Sequence, residues 1–228
     1  MTQKSEQTKK RILKVALKLF QERGFEETTM RNIADGAGVA TGASYYHFKN
    51  KADIVRHFYE ILADEFSDAT DKIAAKTDDF GERLRLAMEF RYESLLPYRD
   101  SLPAMVRLAI DPGSPLSAFS SGTAKLRDQA IGDFQRLMQG TDLKLPASVS
   151  ARMPLMLWLW HLLCLYYWLL DGTKKQANTK RLLEQSIQMT PTFLHLLSFP
   201  GMTEQLNPFL ELLDALNLNT NQEATHES

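Results

Sequence analysis

TTMRNIADGAGVATGASYYHFKNKADI, residues 28–54, reads as two short helices joined by a glycine turn and followed by the start of a long helix. Thr28 and Thr29 precede the first helix, expected over 30–36, and either hydroxyl can accept its free N–H groups. Ala37-Gly38-Val39 makes a tight turn, and a second helix is expected over 40–46. Asn50-Lys51-Ala52-Asp53 opens the third, with Asn50 as cap and Asp53 beside the positive end of the helix dipole. Two short helices across such a turn form a helix-turn-helix. Ile33, Ala34, Val39, Tyr45 and Phe48 are placed to hold it together.

The residues left outward suit DNA. Ala40, Thr41, Gly42 and Ala43 are small and let a backbone approach base edges in the major groove. Behind them Tyr46, His47, Lys49 and Lys51 carry hydroxyl, imidazole and ammonium donors suited to phosphates. The first turn of the third helix offers backbone N–H groups for a further phosphate. Net charge over the whole chain is −1, but residues 1–55 hold ten Lys and Arg against six Asp and Glu. A basic head on an acidic body fits a polyanionic partner at one end.

This segment resembles the N-terminal DNA-binding domain of the TetR family of bacterial repressors. The resemblance rests on Thr28-Thr29, Ile33-Ala34, Ala37-Gly38-Val39, Gly42 and above all Tyr45-Tyr46-His47-Phe48-Lys49-Asn50-Lys51, and it covers residues 8–56. It implies a homodimer of all-helical subunits, nine or ten helices each, that binds a palindromic operator and is released by a small ligand in the C-terminal domain. Carried onto this chain, Thr29 touches phosphate, Thr41 and Gly42 face bases, and Tyr46, His47 and Lys51 contact the backbone. Tyr45 divides its role between packing and phosphate. The full set expected at DNA is Thr28, Thr29, Arg31, Thr41, Gly42, Ala43, Tyr45, Tyr46, His47, Lys49 and Lys51. Two positions depart from the family pattern. Ser44 stands where a larger apolar residue is usual, and Ala43 where a hydroxyl residue is common. The first puts some helix packing in doubt, the second a base or phosphate contact.

The rest of the 228 residues also reads as helix, because apolar residues recur at three and four and no strand-like alternation is present. An all-α chain is expected, with a helix-turn-helix domain at 1–55, a helical ligand-binding and dimerisation domain at 56–216 and a disordered tail at 217–228. The first helix should run over 5–23 and stop at Gly24, the fourth over 51–75. Asp78 or Asp79 caps a fifth that ends near Pro97. Further helices are expected at 99–110, 116–138, 153–170, 176–198 and 202–216, with a kink at Pro191.

MPLMLWLWHLLCLYYWLL, residues 153–170, contains no charge. As a helix it spans about 27 Å, slightly short of a bilayer core, and His161 sits mid-run. No membrane partner is expected. A helix apolar all round must instead be covered all round, and a second subunit can supply the second cover. The interface is expected at Leu159, Leu162, Tyr166, Leu183, Ile187, Thr190, Leu194 and Leu197, as a four-helix contact between two copies.

A lipophilic effector is expected among Phe66, Met88, Arg91, Tyr92, Leu95, Met105, Phe119, Leu126, Trp160, His161, Cys164 and Tyr167. Arg91 can fix a carboxylate or phosphate. Cys164 is the one cysteine, so no intrachain disulfide forms and a reducing, cytoplasmic setting is expected. The first residues do not resemble a signal peptide. No enzyme, cofactor or metal site is expected, since the five histidines lack ligand spacing and Cys164 lies in an apolar helix. The alternatives are a lipid-binding protein with a vestigial head and an activator on the same scaffold.

Overall fold

The structure is a computed structural model that describes residues 3–197, 201, 204–209, 211 and 212, with the side chains of 191, 194, 195 and 197 excepted. The described chain is helical: α1 Gln3–Arg23, α2 Met30–Gly36, α3 Thr41–His47, α4 Lys51–Ala74, α5 Phe80–Leu95, α6 Leu102–Ile110, α7 Ala124–Met138, α8 Ala147–Ser150, α9 Met153–Leu170 and α10 Ala177–Leu197. Residues 204–209 are also helical, and the remainder of the expected last helix and tail lies outside the described residues.

The chain packs as two units. One takes the chain to Leu62 and adds Pro97–Thr123; the other takes Ala63–Leu96 and what is described from Ala124 on. In the first unit, α1 buries Ile12, Leu13, Ala16, Leu17 and Phe20, one face of a 3.6-residue period. Gly24, at φ +85°, ends α1 in the left-handed region that a side chain resists. Met30, Ile33 and Ala34 of α2 are buried. The Tyr59 hydroxyl donates to the Met105 carbonyl at 2.9 Å, which ties α4 to α6.

In the second unit, α7, α5 and α10 pack around α9. α9 buries Leu157, Trp158, His161, Cys164 and Trp168 along one side. Leu163 (64% exposed) and Leu170 (66% exposed) stand outward with Tyr166 and Tyr167. The helix is long and apolar enough to cross a membrane by length and composition, with less than half of it buried within the chain.

One expected boundary is corrected. The helix expected from 116 begins at Ala124. Before it, the Ser117 and Ser120 carbonyls accept from the Thr123 hydroxyl, and the Pro115 carbonyl accepts from that of Ser120, so side chains compete with the helix ladder. A Cβ on Gly122 would also lie 2.5 Å from the Pro115 carbonyl oxygen. The short helix α8 is an addition to the expected set, and α10 continues as helix past Pro191.

The joint between α9 and α10 is held by one carboxylate. Asp171 accepts from Thr173 (N at 3.0 Å, Oγ1 at 2.6 Å) and from Thr179 (N at 2.7 Å, Oγ1 at 2.8 Å). These bonds, those of Thr173 foremost, hold its pKa well below the usual carboxylate range. The stabilisation is therefore present above the unfolded pKa of about 3.9 and is lost as pH falls through the lower folded value. Asp171→Asn should lower the melting temperature at pH 7. In calorimetry across pH, the gap to the parent chain should narrow as pH drops below about 4.

Candidate nucleic-acid interface and buried polar cluster

Local chemistry builds the head. Thr29, not Thr28, is the N-cap of α2: its Oγ1 accepts from Asn32 N at 3.1 Å, and Asn32 Oδ1 accepts in return from Thr29 N at 3.0 Å. Val39 N donates to the Ala34 carbonyl at 3.0 Å, which closes the turn with Gly38 at φ +63°. Ser44 is fully buried and its hydroxyl donates to the Thr41 carbonyl at 2.7 Å, so the small polar residue serves the helix without a packed apolar side chain. Asn50 Oδ1 accepts from Asp53 N at 2.9 Å, and Asp53 accepts from Lys49 N at 3.1 Å. Of the first turn of α4, the Asp53 N–H is thus taken up by the Asn50 side chain.

Thr29, Arg31, Gly42, Tyr45, Tyr46 and Lys49 are exposed; Thr41, Ala43 and His47 are half-buried. Tyr46 is the most exposed of the large hydrophobic side chains among the described residues, at 81%, and meets the His47 ring edge-on at 5.2 Å. Open space lies where a Gly42 side chain would stand. Tyr45, expected to pack, is half exposed. A shallow hollow beside α3 brings together Lys9, Tyr45, Tyr46, His47, Lys49 and Arg56. Lys9 was missed, because only the packing of α1 carries it to Phe48, 5.7 Å above the ring. Arg56 was also missed, and it pairs with Asp53 at 2.7 Å.

Two residues expected at DNA are turned inward. Thr28 is completely buried, and its hydroxyl donates to the Gly24 carbonyl at 2.8 Å and that of Leu19 at 3.3 Å. It locks the end of α1 and presents nothing to a ligand. Lys51 reaches back across the head: Nζ donates to the Phe25 carbonyl at 2.6 Å and the Glu26 carbonyl at 3.1 Å, and sits 4.5 Å above the Phe25 ring. It fastens α4 to the α1–α2 loop.

In the second unit, Phe66, Met88, Arg91, Leu95, His161 and Cys164 are all buried. The Arg91 guanidinium lies 4.0 Å above the Phe66 ring, and the His161 ring stacks on the same Phe66 at 6.0 Å and 18°. Phe134, which was not foreseen, closes the group 5.6 Å from His161. Asp133 is buried beside them and accepts from Ser67 at 2.8 Å and from Arg136. Neither had a signal in the sequence beyond an ordinary amphipathic stretch in α7. Tyr92 is half-buried and stacks on Trp168 at 5.8 Å. Leu126 and Trp160 are half-buried, and Tyr167 is 38% exposed. Met105 and Phe119 fall in the first unit, on the segment Pro97–Thr123.

Electrostatics sharpen it. Burial lowers the Arg91 pKa to about 10, with Asp133 and then Glu65 working against that shift. Burial, then the Arg91 charge, holds His161 well below its ordinary value, so the imidazole is neutral. Burial raises the Asp133 carboxyl, against its Ser67 hydrogen bond and the Arg136 and Arg91 charges. Burial pushes the Cys164 thiol up to about 12, which makes it inert as a nucleophile. Neither ring nitrogen of His161 has a hydrogen-bond partner among the described residues. Each such buried group costs about 1–3 kcal/mol.

Among the described residues, no group of three or more His, Cys, Asp or Glu is placed to hold a metal. The interface expectation for α10 is corrected. Leu183 and Ile187 are buried, and Ile187 lies against Gly81 of α5, so this stripe faces the subunit's own core. Met189, Phe193 and Leu196 are the outward stripe. On α9, Leu159 and Leu162 are half-buried and Tyr166 is exposed, while Thr190 is half-buried. The side chains of Leu194 and Leu197 lie outside the described residues.

Residues 12–58 match the family model described as bacterial regulatory proteins, tetR family, and residues 83–210 match the tetracyclin repressor-like C-terminal domain. The chain belongs to the TetR family. This places it among helix-turn-helix transcription regulators, which are not enzymes. The HTH-type transcriptional regulator AcrR of Shigella flexneri is 42% identical over 59 residues, 26% of this chain and 27% of that protein. The chain thus matches only about a quarter of the length of that curated relative. A TetR-family structure from Syntrophomonas wolfei superposes with a TM-score of 0.67 at 18% identity, over 81% of this chain and 94% of the other. FadR of Bacillus subtilis, solved in complex with stearoyl-CoA, superposes with a TM-score of 0.62 at 17% identity, over 76% of this chain and 95% of that one. These two likenesses are of fold.

Lysines 49 and 51 should separate in titrations of DNA at varied salt. Lys49→Ala should reduce the logarithmic salt slope by about one unit, as loss of one phosphate contact does. Lys51→Met should instead lower the melting temperature and leave the slope of the folded protein unchanged.

Proposed function

We propose that this TetR-family chain is a repressor that binds a palindromic operator as a homodimer and leaves it when a small lipophilic effector binds the second unit. The observation that carries the reading is the exposed face of α3, where open space above Gly42 is flanked by Tyr46 and Lys49. Thr41, Gly42 and Ala43 would stand at base edges; Thr29, Arg31, Tyr45, Tyr46, His47, Lys49 and, newly, Lys9 would meet phosphates. A head without a DNA partner has no use for this concentration of exposed donors.

Dimerisation is supported by the outward apolar face of α9 and α10. Leu163, Tyr166, Leu170, Met189, Phe193 and Leu196 form too large an exposed apolar set for a solitary subunit. A second copy covers it in kind and fixes two recognition helices about one DNA turn, roughly 34 Å, apart. The effector acts by population shift: it favours a state in which the two heads no longer fit the operator. α4 is the natural lever, since it carries Phe66 of the buried cluster and Lys51 of the head on one helix. FadR shows that the fold can hold a lipophilic ligand, and here the aromatic cluster around Phe66 supports the same class.

The test is fluorescence anisotropy with duplex DNA from upstream of the protein's own gene, against a scrambled duplex, at two salt concentrations. Tight, selective, salt-sensitive binding is expected; equal weak binding to both duplexes, together with copurified lipid, would replace the repressor with a lipid carrier. Leu163→Arg should run as a monomer in light scattering with unchanged helix content. It should bind the operator roughly a hundredfold or more weaker, because the second head is no longer tethered.

A further inference from the structure

The polar groups buried in the second unit are of two kinds. Arg83 is bonded at every side-chain nitrogen: Nε donates to the Thr77 carbonyl at 2.6 Å, and the other nitrogens to those of Ala74 (2.9 Å), Leu137 (3.1 Å) and Gln139 (2.7 Å). It staples the ends of α4 and α7, and its role is complete. His161 is different. It is 94% buried, as its 6% exposure shows, and both ring nitrogens lack a partner among the described residues. Its ring stacks on Phe66 and tilts against Phe134, and the buried Arg91 guanidinium also lies over the Phe66 ring.

A histidine kept only for packing would find at least one bond, or would be replaced by phenylalanine, which fills the same aromatic slot without desolvating two nitrogens. Such a cost persists at sites that serve a ligand. The chemistry of these two side chains defines that ligand. Arg91 offers only N–H donors and a positive charge. A neutral imidazole offers one N–H and one acceptor nitrogen. The flanking walls are the rings of Phe66 and Phe134, with Met88 and Leu137 buried in the same unit.

The geometry points to an acidic effector: a single anionic head group on an apolar body, the head held by Arg91 and His161 and the body lying among the rings of Phe66 and Phe134. This rests on the effector-responsive reading above and narrows it to a chemical class. Asp133 bears on the same place. It accepts from Ser67 and Arg136, and Arg136 also pairs with Asp71 at 3.0 Å. The incoming acid therefore joins a group that already holds two arginines and the carboxylates of Asp133 and Asp71, rather than replacing Asp133.

The effector is tested with matched probes: decanoate against decanol, and 2-naphthoate against 2-naphthalenemethanol. Binding to the full chain is read by fluorescence of Trp158, Trp160 and Trp168, all on α9, and release from operator DNA by anisotropy. Each acid should bind at least tenfold tighter than its alcohol, and which acid binds best tells an aliphatic from an aromatic body. Arg91→Met should remove the preference for acid while leaving the alcohols as they were. His161→Phe should weaken acid binding about tenfold and raise the melting temperature, because two unpartnered nitrogens have gone. That opposite sign separates a ligand-serving histidine from a structural one, whose loss lowers the melting temperature. It also keeps the test open should Arg91→Met fail to fold.

Equal binding of acids and alcohols, no binding of either acid, or a lowered melting temperature for His161→Phe overturns the inference. Release of DNA by the alcohols as readily as by the acids overturns it too, while leaving the ligand-responsive repressor standing. Arg91-dependent acid binding that leaves operator affinity unchanged supports the acid site and instead defeats the regulatory reading.

Discussion

Eighteen consecutive uncharged residues cannot be left in water, and the second unit is organised around covering α9. Its inner side is met by α7, α5 and α10, which place Phe134, Tyr92 and Leu183 around Trp158, His161, Cys164 and Trp168. Each fully buried side chain of phenylalanine or leucine size contributes about 1.5–3 kcal/mol. One subunit covers only that side. Leu163, Tyr166 and Leu170 remain outward, beside the outward Met189 and Phe193 of α10. The constraint that organises this core thus also supports the proposed homodimer. Dimerisation is where the fold and the proposed function meet, because an operator with two half-sites needs two heads at fixed spacing.

Within the apolar surroundings, the polar groups divide by how completely they are bonded. Arg83 and Asp171 each make four hydrogen bonds and each join the ends of helices. Such groups repay their desolvation in the folded chain. His161, set beside Arg91 and the rings of Phe66 and Phe134, does not. A low dielectric makes an unused polar atom costly, and makes a ligand that satisfies it bind well. The stability sacrificed at His161 is thus available to an effector as affinity.

The head follows the opposite economy. It is small, and its order comes from short-range bonds: the Thr29–Asn32 box, the Asn50–Asp53 cap, and the buried Thr28 hydroxyl at the end of α1. Lys51 adds the long strut that fixes α4 against the α1–α2 loop. With its interior satisfied this way, α3 can leave Tyr46 and the space above Gly42 open. A rigid scaffold with an exposed, donor-rich face is what placement in a groove requires.

The sequence by itself determined most of the helices, the helix-turn-helix and the apolar burden of residues 153–170. These depend on residues three or four apart, where periodicity and a capping side chain act without reference to the rest of the chain. It also marked Phe66, Arg91, His161 and Cys164, since a polar residue on an apolar stripe is visible in one dimension. It could not tell that Thr28 and Lys51 turn inward, because their partners Leu19, Phe25 and Glu26 are reached only when helices pack. Nor could it choose between the two stripes of α10. Leu183–Ile187 and Met189–Phe193–Leu196 are equally apolar, and only the approach of α5, with Gly81 admitting Ile187, puts the first inside and the second out. Phe134 and Asp133 joined the cluster for the same reason: which faces meet is set by packing over many residues of separation, and no local pattern encodes it.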